Sequence, residues 1–223
     1  MNYTSKDKYG NDVPDAYFNA KEKGFKFNQD FDVTNELGSC NDFFHESGHM
    51  IDWLKRDGGF LGFNQKNYSE NNDFTGAVAT DYDNAINSFK EQELDKYVDI
   101  EKNAGFDTTR EQVAEMYKDD IEQNATDRMR EMLWDGDNKT SMATISDVFG
   151  GTSYYNTGSQ IRGAYGHSNS YWGARDSSII GKEAYAGISA AYMTNNQEAI
   201  DKLNTWMPET MKLYNQQISN NRS

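Results

Sequence analysis

The chain has 223 residues, enough for one domain with its own core. Its net charge of −14 excludes surfaces that wrap nucleic acid or lie on anionic lipid, since both need cations facing phosphates. Hydrophobic residues reach only 36%, but aromatics at 13% supply the large apolar side chains a core needs. The acidic surface gives solubility, with a weak bias toward basic peptides.

Residues 1–24 are polar and poorly periodic, which reads as a loop or arm. From Phe25 to Val33 apolar and polar residues alternate with one slip, the pattern of an edge strand. Asn41 or Asp42 can cap a helix over 42–56, whose Phe43, Phe44, Met50, Ile51, Trp53 and Leu54 predict that it is largely buried. Residues 60–73 read as an Asn-rich loop, and 75–103 as helix, with Val78, Tyr82, Ile86 and Phe89 at helical spacing. Thr108-Thr109-Arg110-Glu111 is a capping box that leads one helix to Trp134. Ser141–Val148 predicts a short helix ended by Gly150-Gly151, and 152–173 a hairpin or ordered loop. Helices then cover 180–194 and 196–206, and Pro208 opens the last.

Cys40 is the sole cysteine, so an intrachain disulfide and a thiolate zinc site are both excluded, and a small buried apolar role is expected. No run approaches the ~20 apolar residues of a spanning helix, and Met1-Asn2-Tyr3-Thr4-Ser5-Lys6 lacks a signal peptide's apolar region. The expectation is a soluble protein without a membrane partner. Its class is α+β and predominantly helical, one domain with residues 1–40 as arm and edge strand and 41–223 as the body.

The chemistry concentrates in His45-Glu46-Ser47-Gly48-His49, which uses two of the three histidines. Residues four apart share a helix face, so both imidazoles can reach one zinc ion. Glu46, one step round the helix, can approach a water rather than the metal. Catalytic zinc takes three protein ligands and leaves one position open. Gly and His do not follow at the third and sixth positions after His49, which are Asp52 and Lys55, so the metzincin pattern is excluded. Gly151-Thr152-Ser153-Tyr154 lacks the aspartate of a Gly-Thr-x-Asp ligand. His167 and a helix-borne glutamate remain; Glu183, in Gly181-Lys182-Glu183-Ala184-Tyr185-Ala186, has the small and apolar neighbours of a buried carboxylate that needs a positive partner. Asp52 can either accept a ring N–H from His49 or cap the polar face of the helix, and the second is favoured.

Phe44-His45-Glu46-Ser47-Gly48-His49-Met50-Ile51-Asp52, followed much later by Glu183-Ala184-Tyr185-Ala186, resembles the lethal-factor-type gluzincins. It is closer still to the zincin-like domains of phage minor head proteins and bacterial polymorphic toxins. Ile145–Gly151, Ile161–His167 with Tyr171-Trp172, Ala190–Asn195 and Trp206–Thr210 support the likeness, which covers about 41–56 and 144–218. The resemblance implies a zincin-like metallopeptidase fold with a small edge sheet and an active-site helix. It implies His45, His49 and Glu183 as Zn2+ ligands and Glu46 as general base. It also implies an oxyanion-stabilising tyrosine upstream of the third ligand, with Tyr171 the first choice and Tyr165 the second, while His167 either assists the oxyanion or pins its loop.

The activity implied is that of a zinc endopeptidase acting on a protein or peptide. The setting implied is a longer phage or toxin polypeptide found in the bacterial cytoplasm, on the virion or delivered as a toxin. A phage minor-head structural or binding module that keeps zinc without turnover is the alternative. The family's second carboxylate four residues after the ligand is replaced by Gly187, which puts that support of the metal in question.

Overall fold

The computed structural model describes residues 5–6, 12–13, 16–27, 39–56, 66–134, 141–163 and 165–220. Two short antiparallel pairs come first, β1 (Ser5–Lys6) with β2 (Asp12–Val13) and β3 (Ala16–Asn19) with β4 (Gly24–Phe27). The second is closed by Asn19, whose Oδ1 accepts the backbone N–H groups of Lys21 and Glu22, both at 3.1 Å. The alternating run from Phe25 is therefore a strand only to Phe27, and residues 28–33 lie outside those described. The segment read as a loop or arm holds three short strands, each too brief for alternation to reveal.

Ten helices follow among the described residues: α1 (Ser39–Leu54), α2 (Tyr68–Asn71), α3 (Phe74–Asn103), α4 (Arg110–Met116), α5 (Lys118–Leu133), α6 (Ala143–Thr157), α7 (Asn169–Gly173), α8 (Ile179–Met193), α9 (Gln197–Trp206) and α10 (Pro208–Asn220). The protein is thus α+β and predominantly helical. No described helix is long and apolar enough to cross a membrane.

Helix α8 lies at the centre. Its residues 183–191 are buried on every side, the mark of a helix enclosed by others rather than resting on a surface. Helix α1 crosses it at Gly48, where an added Cβ would stand 2.6 Å from the Ala186 Cα. Glycine is what lets the two backbones come this close. Helices α3 and α5 pack together, with Arg128 donating to Glu93 at 3.1 Å and lying over the Phe89 ring, and Ile121, Ala125, Met129 and Leu133 form the buried stripe of α5 at four-residue spacing. On the far side, buried Asp81 of α3 accepts the Glu209 and Thr210 N–H groups, each at 3.0 Å, and the Thr210 hydroxyl at 2.7 Å. It satisfies the orphan donors at the start of α10.

Several boundaries differ from the sequence expectations. Helix α1 begins at Ser39, so Asn41 and Asp42 sit inside it rather than capping it; Cys40 is in its first turn, with a side chain outside those described. Leu54 is exposed and Phe43, Phe44, Met50, Ile51 and Trp53 are half-buried, so only one face of α1 is covered. The expected single helix to Trp134 breaks at Tyr117, which stacks on Tyr97 at 4.4 Å and donates to Glu101. The cap there is Thr109 with Gln112, one residue later than read.

Gly150-Gly151 does not end α6, which runs to Thr157. Both glycines are buried, with Gln160 and Trp172 filling the space beside them, so packing overrides the helix cost of glycine. Among the described residues, 152–173 contains no hairpin.

Candidate metal centre

The α1–α8 crossing sets the geometry of the site. His45 and His49, one turn apart on α1, turn their Nε2 atoms to the same Glu183 oxygen on α8. The distances to Oε2 are 3.0 and 3.4 Å. The two rings stand edge to face with centroids 4.8 Å apart. Four ligands each 2.0–2.1 Å from a tetrahedral zinc lie about 3.3 Å from one another. Each nitrogen thus stands from the Glu183 oxygen at about the spacing that a tetrahedral ion imposes on two of its ligands, and two neutral imidazoles with one carboxylate are a fitting donor set.

The electrostatics point the same way. Burial opposes charge on His49, but the Glu183 carboxylate, with Glu46 and Asp52 behind it, outweighs that and raises its pKa to about 9. Burial likewise opposes charge on Glu183, and the His49 and His45 imidazoles overcome it, holding the carboxylate well below its ordinary range. Without a metal, an anion at 3% exposure relies on the charge of the His49 imidazole. A divalent cation would take the place of that charge.

Glu46, His45 and His49 offer ligand atoms within 4.8 Å of one another, and so do Asp147, His167 and Glu183. The two groups share one neighbourhood, and contacts sort their roles. Glu46 is engaged elsewhere: its Oε2 accepts the Phe18 N–H of β3 at 2.8 Å, so the strand edge fixes this carboxylate beside the imidazoles. Asp147 of α6 accepts from the His167 backbone N–H at 2.6 Å and lies 2.9 Å from its Nδ1. Gly166 makes that approach possible, with a φ of 133° and a virtual Cβ 2.9 Å from the Asp147 Cα. Burial opposes charge on His167, and Asp147 outweighs it, raising the histidine's pKa.

Tyr171 on α7 donates its hydroxyl to Glu183 Oε1. One face of its ring stacks on His167 at 3.6 Å and the other is covered by the Arg175 guanidinium at 3.7 Å. Burial first, then the Glu183 charge, pushes the phenol far above its usual pKa, so it remains a donor across the physiological range. Tyr165 lines a cavity beside Glu183, and its backbone carbonyl accepts from the Ser146 hydroxyl.

Five residues singled out from the sequence, His45, Glu46, His49, Tyr171 and Glu183, therefore meet at one place, with His167 behind Tyr171 and Tyr165 further off. Asp52 differs from its expected role. It is fully buried, accepts the Ser69 N–H and hydroxyl at 2.7 Å each, and so pins α2 against α1. At position 187 an added Cβ would stand 2.3 Å from Thr144 Oγ1, so the packing of α6 leaves no room for a second carboxylate.

Sequence reasoning missed two participants. Asp147 carried a signal, a lone acid within Ile145-Ser146-Asp147-Val148-Phe149, since a charge in an apolar run needs a partner. The Phe18 amide carried none, because any residue but proline has one. Compared with known protein families, with curated proteins and with solved structures, the chain finds no match.

Proposed function

We propose that the protein is a zinc-dependent endopeptidase of zincin-like, gluzincin type, with His45, His49 and Glu183 as metal ligands. The observation that carries this reading is the convergence of both Nε2 atoms on one Glu183 oxygen at 3.0 and 3.4 Å. A zinc ion there supplies a Lewis acid that brings the pKa of water to about 7. Glu46 is the general base: it takes the proton of the attacking water at its carboxylate and returns it to the leaving amine. The Phe18 N–H orients that carboxylate through Oε2 and leaves Oε1 for the proton. Tyr171, kept protonated and clamped on both ring faces, has one hydroxyl proton, which would turn from Glu183 Oε1 to the oxygen on which charge develops. The resemblance to phage minor-head and polymorphic-toxin domains supports the same reading and implies a protein or peptide as substrate.

The second reading is a zinc-holding structural or binding module without turnover. It draws on the hydrogen bond that engages Glu46. Glu46→Gln separates the two. On the first reading the variant keeps stoichiometric zinc and loses about 10²–10⁴-fold in cleavage of a generic peptide library. If the zinc-loaded unaltered chain is as inert as the variant, the structural module is correct.

A further inference from the structure

A cavity of about 80 Å3 opens beside His45 and Glu183, enclosed by the start of α1, the start of α6 and the second half of α8. A single water needs roughly 10–15 Å3 by the same measure, so there is room for a side chain of several heavy atoms. Its length follows from α8. Glu183, Gly187, Ala190, Ala191 and Thr194 all line it and share one face of the helix, covering about 16 Å of axis at 1.5 Å per residue. Its width follows from Ala190 and Ala191, whose methyls leave open the space a larger residue would fill, while Gly187 lets Thr144 of α6 approach α8 as the facing wall.

The described lining is mainly acidic: Asp42, Asp147 and Glu183 contribute carboxylates, and beside the His45 imidazole no lysine or arginine is among the described residues that line the cavity. Glu183 belongs to the histidines and Asp147 to His167. Asp42, buried in α1 and one turn before His45, is the third acid of the lining. A carboxylate has about four acceptor positions, so it keeps capacity for an incoming donor beside any partner it already has. Alanine methyls along the trough suit a methylene stem, and a carboxylate at its side suits a cationic head.

Resting on the peptidase reading above, we propose that this cavity is a specificity pocket for a lysine or arginine side chain next to the scissile bond, with Asp42 as the residue that receives its charge. The chain's charge of −14 adds a long-range attraction for the same substrates.

The test uses the zinc-loaded full chain and peptides that differ only beside the cleaved bond. Lysine and arginine peptides should be cut about tenfold more efficiently than a norleucine peptide, the worth of one charge-assisted hydrogen bond. Asp42→Asn should level that ratio, and Ala191→Leu, which fills the trough, should lower cleavage of the lysine peptide. A lysine-to-norleucine ratio near one in the unaltered chain, or one untouched by both variants, overturns the proposal.

A second arm needs no turnover. N-acetyl-lysinamide, titrated into the Glu46→Gln protein and followed by NMR, should shift Ala190, Ala191 and Thr194 and bind more tightly than N-acetyl-norleucinamide. Equal binding, or shifts elsewhere, overturns the pocket. Selective binding without any cleavage leaves the pocket standing while the peptidase reading falls. Cleavage indifferent to charge does the reverse.

Discussion

Asp81, where α3 meets α10, and Glu183, where α8 meets α1, are almost equally buried, at 1% and 3% exposure. Their surroundings differ in kind. Asp81 is met by two backbone amides and a hydroxyl, groups that cannot titrate, and burial still raises its pKa. Glu183 is met by two imidazoles and a phenol, and the imidazoles lower its pKa against the same burial. A buried acid satisfied by fixed dipoles fastens two helices together. One met by imidazoles, which are also metal ligands, is a place that fits a cation.

The sharpest way to break that contrast is to remove each acid. Glu183→Ala should weaken zinc binding by more than about 100-fold, beyond what loss of a supporting contact alone does, as read by metal content after dialysis. Tyr171→Phe should keep the metal and lower kcat by about 10²-fold, the usual effect of one oxyanion donor; an unchanged kcat would assign the tyrosine to packing.

Asp81→Ala should leave zinc content intact and cost about 1–3 kcal/mol of stability, because buried donors at the start of α10 lose their acceptor. Denaturant unfolding reads this, and loss of zinc in Asp81→Ala would erase the distinction between the two acids.

The smallest effect is in pH. His49 sits at about 9 in the folded chain, above an unfolded value of about 6.5. Its contribution to the metal-free protein is complete below pH ~6.5 and is lost as pH rises through 9. Zinc needs the deprotonated ring, so the gain in Tm on adding zinc should widen between pH 6.5 and 9. A gain that narrows over that window contradicts the assignment.

What the sequence made legible was the chemistry that repeats locally. His45 and His49 are four apart, so their shared face is fixed by helix geometry before any tertiary contact exists. The stripe from Ile121 to Leu133 is legible for the same reason. Glu183 was legible as a buried charge among small residues, but its meeting with the histidines depends on Gly48 letting α1 reach Ala186, a contact between residues far apart in the chain. The run of α6 through Gly150-Gly151 was hidden because Trp172 and Gln160, not local propensity, decide it. Asp52 was misjudged from its own helix alone, since its partner Ser69 comes from the next one.

Anomalous diffraction at the zinc edge, from crystals of the full chain grown with one equivalent of zinc, tests the central claim most directly. The account predicts a single peak within about 2.0–2.2 Å of His45 Nε2, His49 Nε2 and a Glu183 oxygen. A peak held instead by Asp147 and His167, or no peak near α1, would contradict it.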